Sequence, residues 1–355
     1  MRPGLDNVIA ADTVLSHVDG EAGRLIIRGF DLEQLAGVST FEDVTLLLWQ
    51  GFYSGNAIRE QLGAARVRAY KQFQLLNAPW ETMTAVEAMR LLLASIVDAS
   101  REDQPLTVLG AAGVAAGFAC RVTAGRESVV PNAALTHAED CLRMLVGRNC
   151  DATEVRAFET YLVAVIDHGL NASTFAARVV ASTAAGLPSS VVAALCALKG
   201  PLHGGAPGPV LDMFDEIGEP SRARSWIADT LNRGERLMGF GHRIYRVRDP
   251  RANVLKAAVG KLKGRANRLA FAEAIENAAL EALRDYKGER RFDTNVEFFT
   301  ALLLEALEIP RAAFTPVFAL ARTAGWIAHI REQEATGRLV RPQSRYIGPL
   351  PDKAA

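Results

Sequence analysis

The chain has 355 residues, and 40 Lys plus Arg balance 40 Asp plus Glu, so no net field steers it toward nucleic acid or an anionic membrane. With 49% hydrophobic and 23% charged residues it reads as a folded globular protein, large enough for two domains or one body carrying an insertion, and not as a disordered or collagen-like chain. Four cysteines, Cys120, Cys141, Cys150 and Cys196, form no CxxC pair, which argues against a cysteine zinc site and disulfide staples and predicts a reducing, cytoplasmic setting.

In chain order, Met1 to Thr13 carries Asp6 and Asp12 without an apolar core and does not read as a signal peptide. Arg24 to Gly29 is the one strand-like run. The longest uncharged apolar run, Leu106 to Cys120, spans 15 residues, short of the roughly 18 to 20 needed to cross a bilayer, and predicts a buried helix. Behind an N-cap at Thr153, Val155, Phe158, Leu162, Val165 and Ile166 recur at helical spacing until His168-Gly169 interrupts them. A second helix is predicted over about Ala172 to Ala185. A third, Ser189 to Leu198, stops at Gly200-Pro201, where proline cannot continue the ladder. Residues 233–268 are rich in Arg and Lys, and 205–305 is more charged than its flanks, which suggests an inserted smaller domain. Asn295-Val296-Glu297-Phe298-Phe299 opens a helix to about Leu307, and Thr315-Pro316, a cap and a first-turn proline, opens an apolar helix through Ile330.

Two histidines sit in glycine-rich loops at helix breaks: His203 in the Gly200–Ala206 segment and His242 after Gly239-Phe240-Gly241. Glycines let a ligand approach backbone N–H groups while the imidazole faces it, although either histidine alone is equally readable as a structural loop residue. The histidines form no i, i+4 pair, so the case for a metal is weak. The run from Arg243 to Arg251 is a local positive patch suited to an anionic ligand, or else a solvated turn. Glu297 in a first helical turn either complements the helix dipole or serves chemistry. Arg322 interrupts an apolar helix and needs an anionic partner or a path to water.

Asp167-His168 with Asn171-Ala172-Ser173, Gly-Pro-Leu-His-Gly-Gly-Ala, Gly-Phe-Gly-His with Asp-Pro-Arg, Asn-Val-Glu-Phe, Arg322 and Arg341-Pro342 occur in the order and spacing of citrate synthases and 2-methylcitrate synthases. Val18-Asp19-Gly20 and Arg28-Gly29 look similar too, so the resemblance covers essentially the whole chain. It implies an all-α homodimer, with a large helical domain from 1–204 and 306–355, a small helical domain from 205–305, and a cleft between them. By the same resemblance His203, His242 and Glu297 are the catalytic set, and His168, Arg251, Arg322 and Arg341 bind oxaloacetate, Arg341 completing the neighbouring subunit's site. Arg236, Leu237, Met238, Gly239 and Phe240 match the backbone segment that holds CoA, and Arg246 matches a contact to its phosphates. No permanent cofactor or metal is implied; a CoA thioester is the co-substrate.

The implied reaction joins acetyl-CoA to oxaloacetate and hydrolyses citryl-CoA, with propionyl-CoA and 2-methylcitrate as the alternative. Two departures from the family stand out. Glu297 replaces the usual aspartate and adds a methylene, and Ala206-Pro207-Gly208-Pro209 stands where asparagine and an acidic residue are common. A misplacement near 1 Å can cost about a hundredfold in rate, so a catalytically weak CoA- or dicarboxylate-binding homologue is the reading from another class.

Overall fold

The computed structural model describes residues 5, 8–55, 57–97, 103–203, 207–264, 266–287 and 292–349. The start and end of the chain, Gly204 to Ala206 of the His203 loop, and the expected boundary at 204/205 lie outside the described residues.

Three short strands, β1 (Ser16–Asp19), β2 (Arg24–Ile27) and β3 (Phe30–Asp31), form an antiparallel sheet in that order, with Ser16 opposite Ile27 and Ile26 opposite Asp31. The single expected strand is therefore the centre of a small sheet, whose edge strands are too short to show alternation in the sequence. The rest is helical: α1 (Leu32–Leu35), α2 (Phe41–Leu48), α3 (Ile58–Phe73), α4 (Ala85–Ala94), α5 (Gln104–Val122), α6 (His137–Val146), α7 (Ala152–Ala164), α8 (Ala172–Ala181), α9 (Leu187–Leu198), α10 (Pro207–Ile217), α11 (Ala223–Asn232), α12 (Pro250–Gly260), α13 (Ala266–Lys287), α14 (Val296–Ala306) and α15 (Phe314–Thr336). The expected all-α class holds.

Capping chemistry corrects several boundaries. The cap of α7 is Asp151, not Thr153: its Oδ1 accepts from Thr153 N–H at 2.8 Å and Glu154 N–H at 2.9 Å, and the Glu154 carboxylate returns to Asp151 N–H. Helix α8 stops at Ala181, short of Ala185, and Ala184 sits at φ 61°, where no helix continues. Helix α9 starts at Leu187, ahead of Ser189, with Pro188 in its first turn. Thr315-Pro316 lies inside the first turn of α15, which emerges directly from a 3-10 turn at Arg311–Ala313 and runs past Ile330 to Thr336.

Helix α5, longer than its uncharged run, has the length and apolarity to cross a membrane, yet it is buried among α3, α4, α6, α9 and α15. It is the core of the larger helical layer. Helix α15 packs on α5, α8 and α9, while α14 packs on α10 and α12, and α12 reaches α7. The ends of these helices, α7 to α8, the C-terminus of α9, and the N-termini of α12 and α14, carry the side chains described next.

Candidate active site

Asn171 caps α8, accepting from Thr174 N–H at 3.1 Å, and so presents Ser173 in the first turn. Ser173 N–H donates to His203 Nε2 at 3.2 Å, which leaves a lone pair on Nε2 and the ring proton on Nδ1. The Ser173 hydroxyl lies 2.9 Å from the same nitrogen and is itself held by Asn171 Oδ1 at 2.8 Å and Trp326 Nε1–H at 3.2 Å. Burial, aided by the Arg322 charge, pulls His203 down to about 4, so it is neutral at pH 7 and donates from one defined nitrogen.

His242 has the opposite tautomer. Its Nδ1 accepts from the N–H groups of Ile244 and Tyr245, each at 3.1 Å, so the proton of the neutral ring is on Nε2. Burial and then Arg251 pull this histidine to about 4 as well. His168, interrupting the chain between α7 and α8, stands edge to face with it at 5.4 Å between ring centroids, and burial above all, with Arg251, His242 and Arg322, holds His168 well below its ordinary value.

Asp249 caps α12 through Arg251 N–H at 3.0 Å and grips the buried Arg251 guanidinium in two bonds of 2.9 and 2.7 Å. The same carboxylate accepts from Val296 N–H at 3.1 Å, tying the start of α12 to the start of α14. Glu297 follows in the first turn, its N–H on Asn295 Oδ1 at 3.0 Å. Among the described residues its half-buried carboxylate accepts no hydrogen bond, and burial, only partly offset by Arg251 and Arg236, raises it to about 7.

The segment before His242 is sewn to the same turn. Asn295 N–H donates to Gly239 O at 2.9 Å and Asn295 Nδ2 to Gly241 O at 2.9 Å. Gly239 has φ 83°, and a Cβ there would stand 2.9 Å from Phe298 Cβ, so this crossing admits only glycine. Leu237 and Phe240 are buried, Met238 is half-buried, and Arg236 and Arg246 are exposed beside the cluster. Arg246 N–H donates to Gly20 O at 2.9 Å, and a side chain on Gly20 would run into the Ile244 carbonyl, so the β1–β2 hairpin lies tight against this loop.

Arg322 is 1% exposed and makes no ion pair among the described residues. Its Nε donates to Val165 O at 2.6 Å and its guanidinium lies 4.7 Å from the Phe318 ring centroid, while burial brings it down to about 10, still charged at pH 7. Direct contacts are to a carbonyl and a ring, and the anionic charge that acts on it is Asp167, which is not in ion-pair contact and whose effect burial and Arg251 outweigh, so the cation is only partly compensated.

His168, His203, His242, Arg251, Glu297 and Arg322 thus converge through contact or charge. Arg341 does not. It is exposed beyond α15, next to Val340, whose N–H bonds Ser182 Oγ at 3.0 Å at the far end of α8, about 13 Å of helix from Ser173. Ser173, Asp249 and Tyr245, which the sequence alone does not single out, contact these side chains as well. Asp249-Pro250, a cap before a first-turn proline, was the one readable signal among them.

The family described as citrate synthase, C-terminal domain, matches residues 4–343. The citrate synthase of Haloferax volcanii is 35% identical over 98% of this chain and 96% of that protein. Among solved structures, citrate synthase from Thermotoga maritima covers 100% of this chain and 98% of its own, with a TM-score of 0.85 and 31% identity. The ternary complex of carboxymethyl coenzyme A and oxaloacetate with citrate synthase from Thermoplasma acidophilum covers 99% and 97%, with a TM-score of 0.87 and 28% identity.

Proposed function

The chain belongs to the citrate synthase family, a family of acyl-transferring enzymes, and on that premise we propose that it condenses acetyl-CoA with oxaloacetate at the cluster around Glu297. The observation that carries this reading is a carboxylate without a hydrogen-bond partner among the described residues, raised to about 7 and facing the Arg251 charge that also reaches His168 and His242, in a chain whose His203 and His242 are neutral rings with opposite tautomers set by backbone contacts. A thioester methyl group is a weak carbon acid, and its deprotonation needs a base near neutrality together with an electrophile on the developing enolate.

Glu297 removes the methyl proton while His203 Nδ1–H hydrogen-bonds the thioester oxygen. The enolate carbon attacks the ketone of oxaloacetate, and His242 Nε2–H passes its proton to the oxygen as the alkoxide forms; Glu297 then loses its proton to solvent and His242 regains one from it. Two N–H groups on His242 Nδ1 stabilise the ring as that proton leaves. Water then cleaves the citryl thioester to citrate and CoA. His168, Arg251 and Arg322 hold the dicarboxylate, a match of buried guanidinium to anion. The 236–240 backbone and Arg246 receive CoA; carboxymethyl coenzyme A and oxaloacetate are both bound in the Thermoplasma acidophilum ternary complex. Large and small helical domains meeting near 204/205 and 305/306 would enclose this cleft. Free cysteines at Cys150 and Cys196, neither fully buried, fit a reducing cytoplasm.

Purified protein given oxaloacetate and acetyl-CoA should release free CoA thiol faster than with propionyl-CoA. Faster release with propionyl-CoA would assign 2-methylcitrate instead, and no oxaloacetate-dependent release with either would end the reading. Arg322→Leu is expected to weaken oxaloacetate binding at least tenfold by calorimetry while CoA binding without oxaloacetate is largely unchanged. Equal losses for both ligands would remove Arg322 from the substrate site.

The distance of Arg341 from its own chain's cluster supports a homodimer in which it completes the neighbouring site. Arg341→Ala and His203→Ala proteins, each inactive alone, should recover about a quarter of wild-type activity after equal mixing and subunit exchange, because half the dimers are mixed and each has one intact site. No recovery despite demonstrated exchange would place Arg341 in its own chain's chemistry or outside it.

A further inference from the structure

Three of the side chains assigned to the oxaloacetate side meet at one residue that the mechanism leaves unused. Tyr245 is 3% exposed. Its N–H donates to His242 Nδ1 at 3.1 Å and its ring centroid lies 4.7 Å from that of His242. Its hydroxyl is 3.2 Å from His168 Nε2, and the Arg251 guanidinium lies 6.0 Å from its ring centroid, within cation–π range.

The geometry points to Tyr245 as the positioning residue that fixes His168 and His242 as a pair for the ketone and carboxylate of a 2-oxo dicarboxylate, an inference that rests on the function proposed above. His168 is a neutral buried ring with two tautomers open to it, and a phenol can donate to Nε2 in one or accept from it in the other. In either case the bond stops the ring from turning in its pocket. The loop carrying Tyr245 is fixed from outside by the Arg246 N–H bond to Gly20 and the close approach of Gly20 to the Ile244 carbonyl. The same hairpin fixes the chain on the other side: the Ser16 hydroxyl bonds the Asp167 carboxylate and accepts from Gly169 N–H at 3.0 Å, flanking His168. Backbone on both sides is held by the hairpin, and Tyr245 supplies the link between the side chains.

Two substitutions separate its contacts. Tyr245→Phe keeps the ring under His242 and loses only the bond to His168, so Kd and KM for oxaloacetate should rise about tenfold with kcat changed less than about twofold. Tyr245→Leu removes the platform of His242 as well and should also lower kcat by about 10². Nitrogen-15 spectra of the six imidazoles provide a readout free of activity: in Tyr245→Phe the His168 Nε2 signal should move while that of His137, buried beside Arg66, stays in place and reports an intact fold. An unmoved His168 signal overturns the proposal, as does a moved signal with unchanged oxaloacetate affinity. If the wild-type protein binds no oxaloacetate at all, the function proposed above fails, and the spectra still decide whether Tyr245 orders His168.

Discussion

Glu297→Gln is expected to lower condensation by roughly 10² to 10⁴ and to abolish exchange of acetyl-CoA methyl protons with deuterated solvent in the presence of an unreactive oxaloacetate analogue. The amide preserves size and removes the carboxylate assigned to accept that proton. The raised carboxylate sets the pH dependence too. Glu297 is a base only when ionised, so kcat/KM should rise as pH passes about 7, while His203 and His242, both near 4, stay neutral across that range. A profile flat from pH 5 to pH 8 would contradict this assignment.

Stability carries the opposite sign. An acid whose folded pKa lies above its unfolded 4.5 keeps a proton in the native state that the unfolded chain has lost, so its ionisation costs stability as pH rises from about 4.5 to about 7, and the cost is complete above that. Glu297→Gln should therefore melt higher than wild type above pH 7 and equally at pH 4. Glu297→Asp should be neutral or harmful, because α14 and its Asn295 cap fix the backbone and the shorter arm falls back by more than 1 Å. A large gain in turnover with aspartate would mark the protein as a weakened synthase, the reading in which glutamate is a defect.

The second large effect is at the histidines. His203→Ala removes the donor to the thioester oxygen and His242→Ala the proton source for the alkoxide, and each should lower kcat by about 10² or more with little change in melting temperature. Ser173→Ala is a milder check on the first. Its N–H still meets Nε2 and only the hydroxyl is lost, so most activity should survive. Near wild-type turnover in either histidine variant would dissociate these rings from the reaction.

Much of this site was legible because its chemistry is carried by residues at helix ends, where glycine, proline and capping residues leave marks in a single sequence. Asn295 before Val296 was read as a helix start and is one, and Gly200-Pro201 ends α9 ahead of His203. Thr153 was misread because Asp151, two residues earlier, makes the stronger box with Glu154, a competition that only geometry resolves. The contacts that prepare the imidazoles were out of reach. The donors on His203 and His242 are backbone N–H groups, which have no sequence identity to read, and Tyr245 resembles any aromatic residue in a basic loop. Arg322 was singled out as an anomaly in an apolar helix, but its partners, a carbonyl from the end of α7 and a ring one turn away, emerge only in three dimensions.

The most direct test follows the carbon atoms, because release of CoA thiol alone does not separate condensation from thioester hydrolysis. With acetyl-CoA labelled at the methyl carbon and unlabelled oxaloacetate, carbon-13 spectra should show the label in a methylene of citrate, formed only when oxaloacetate is present and lost in Glu297→Gln. Label found solely in the methyl group of free acetate, at the same rate with or without oxaloacetate, would show a thioesterase at this cleft and contradict the assignment of Glu297 as the base of a carbon–carbon condensation.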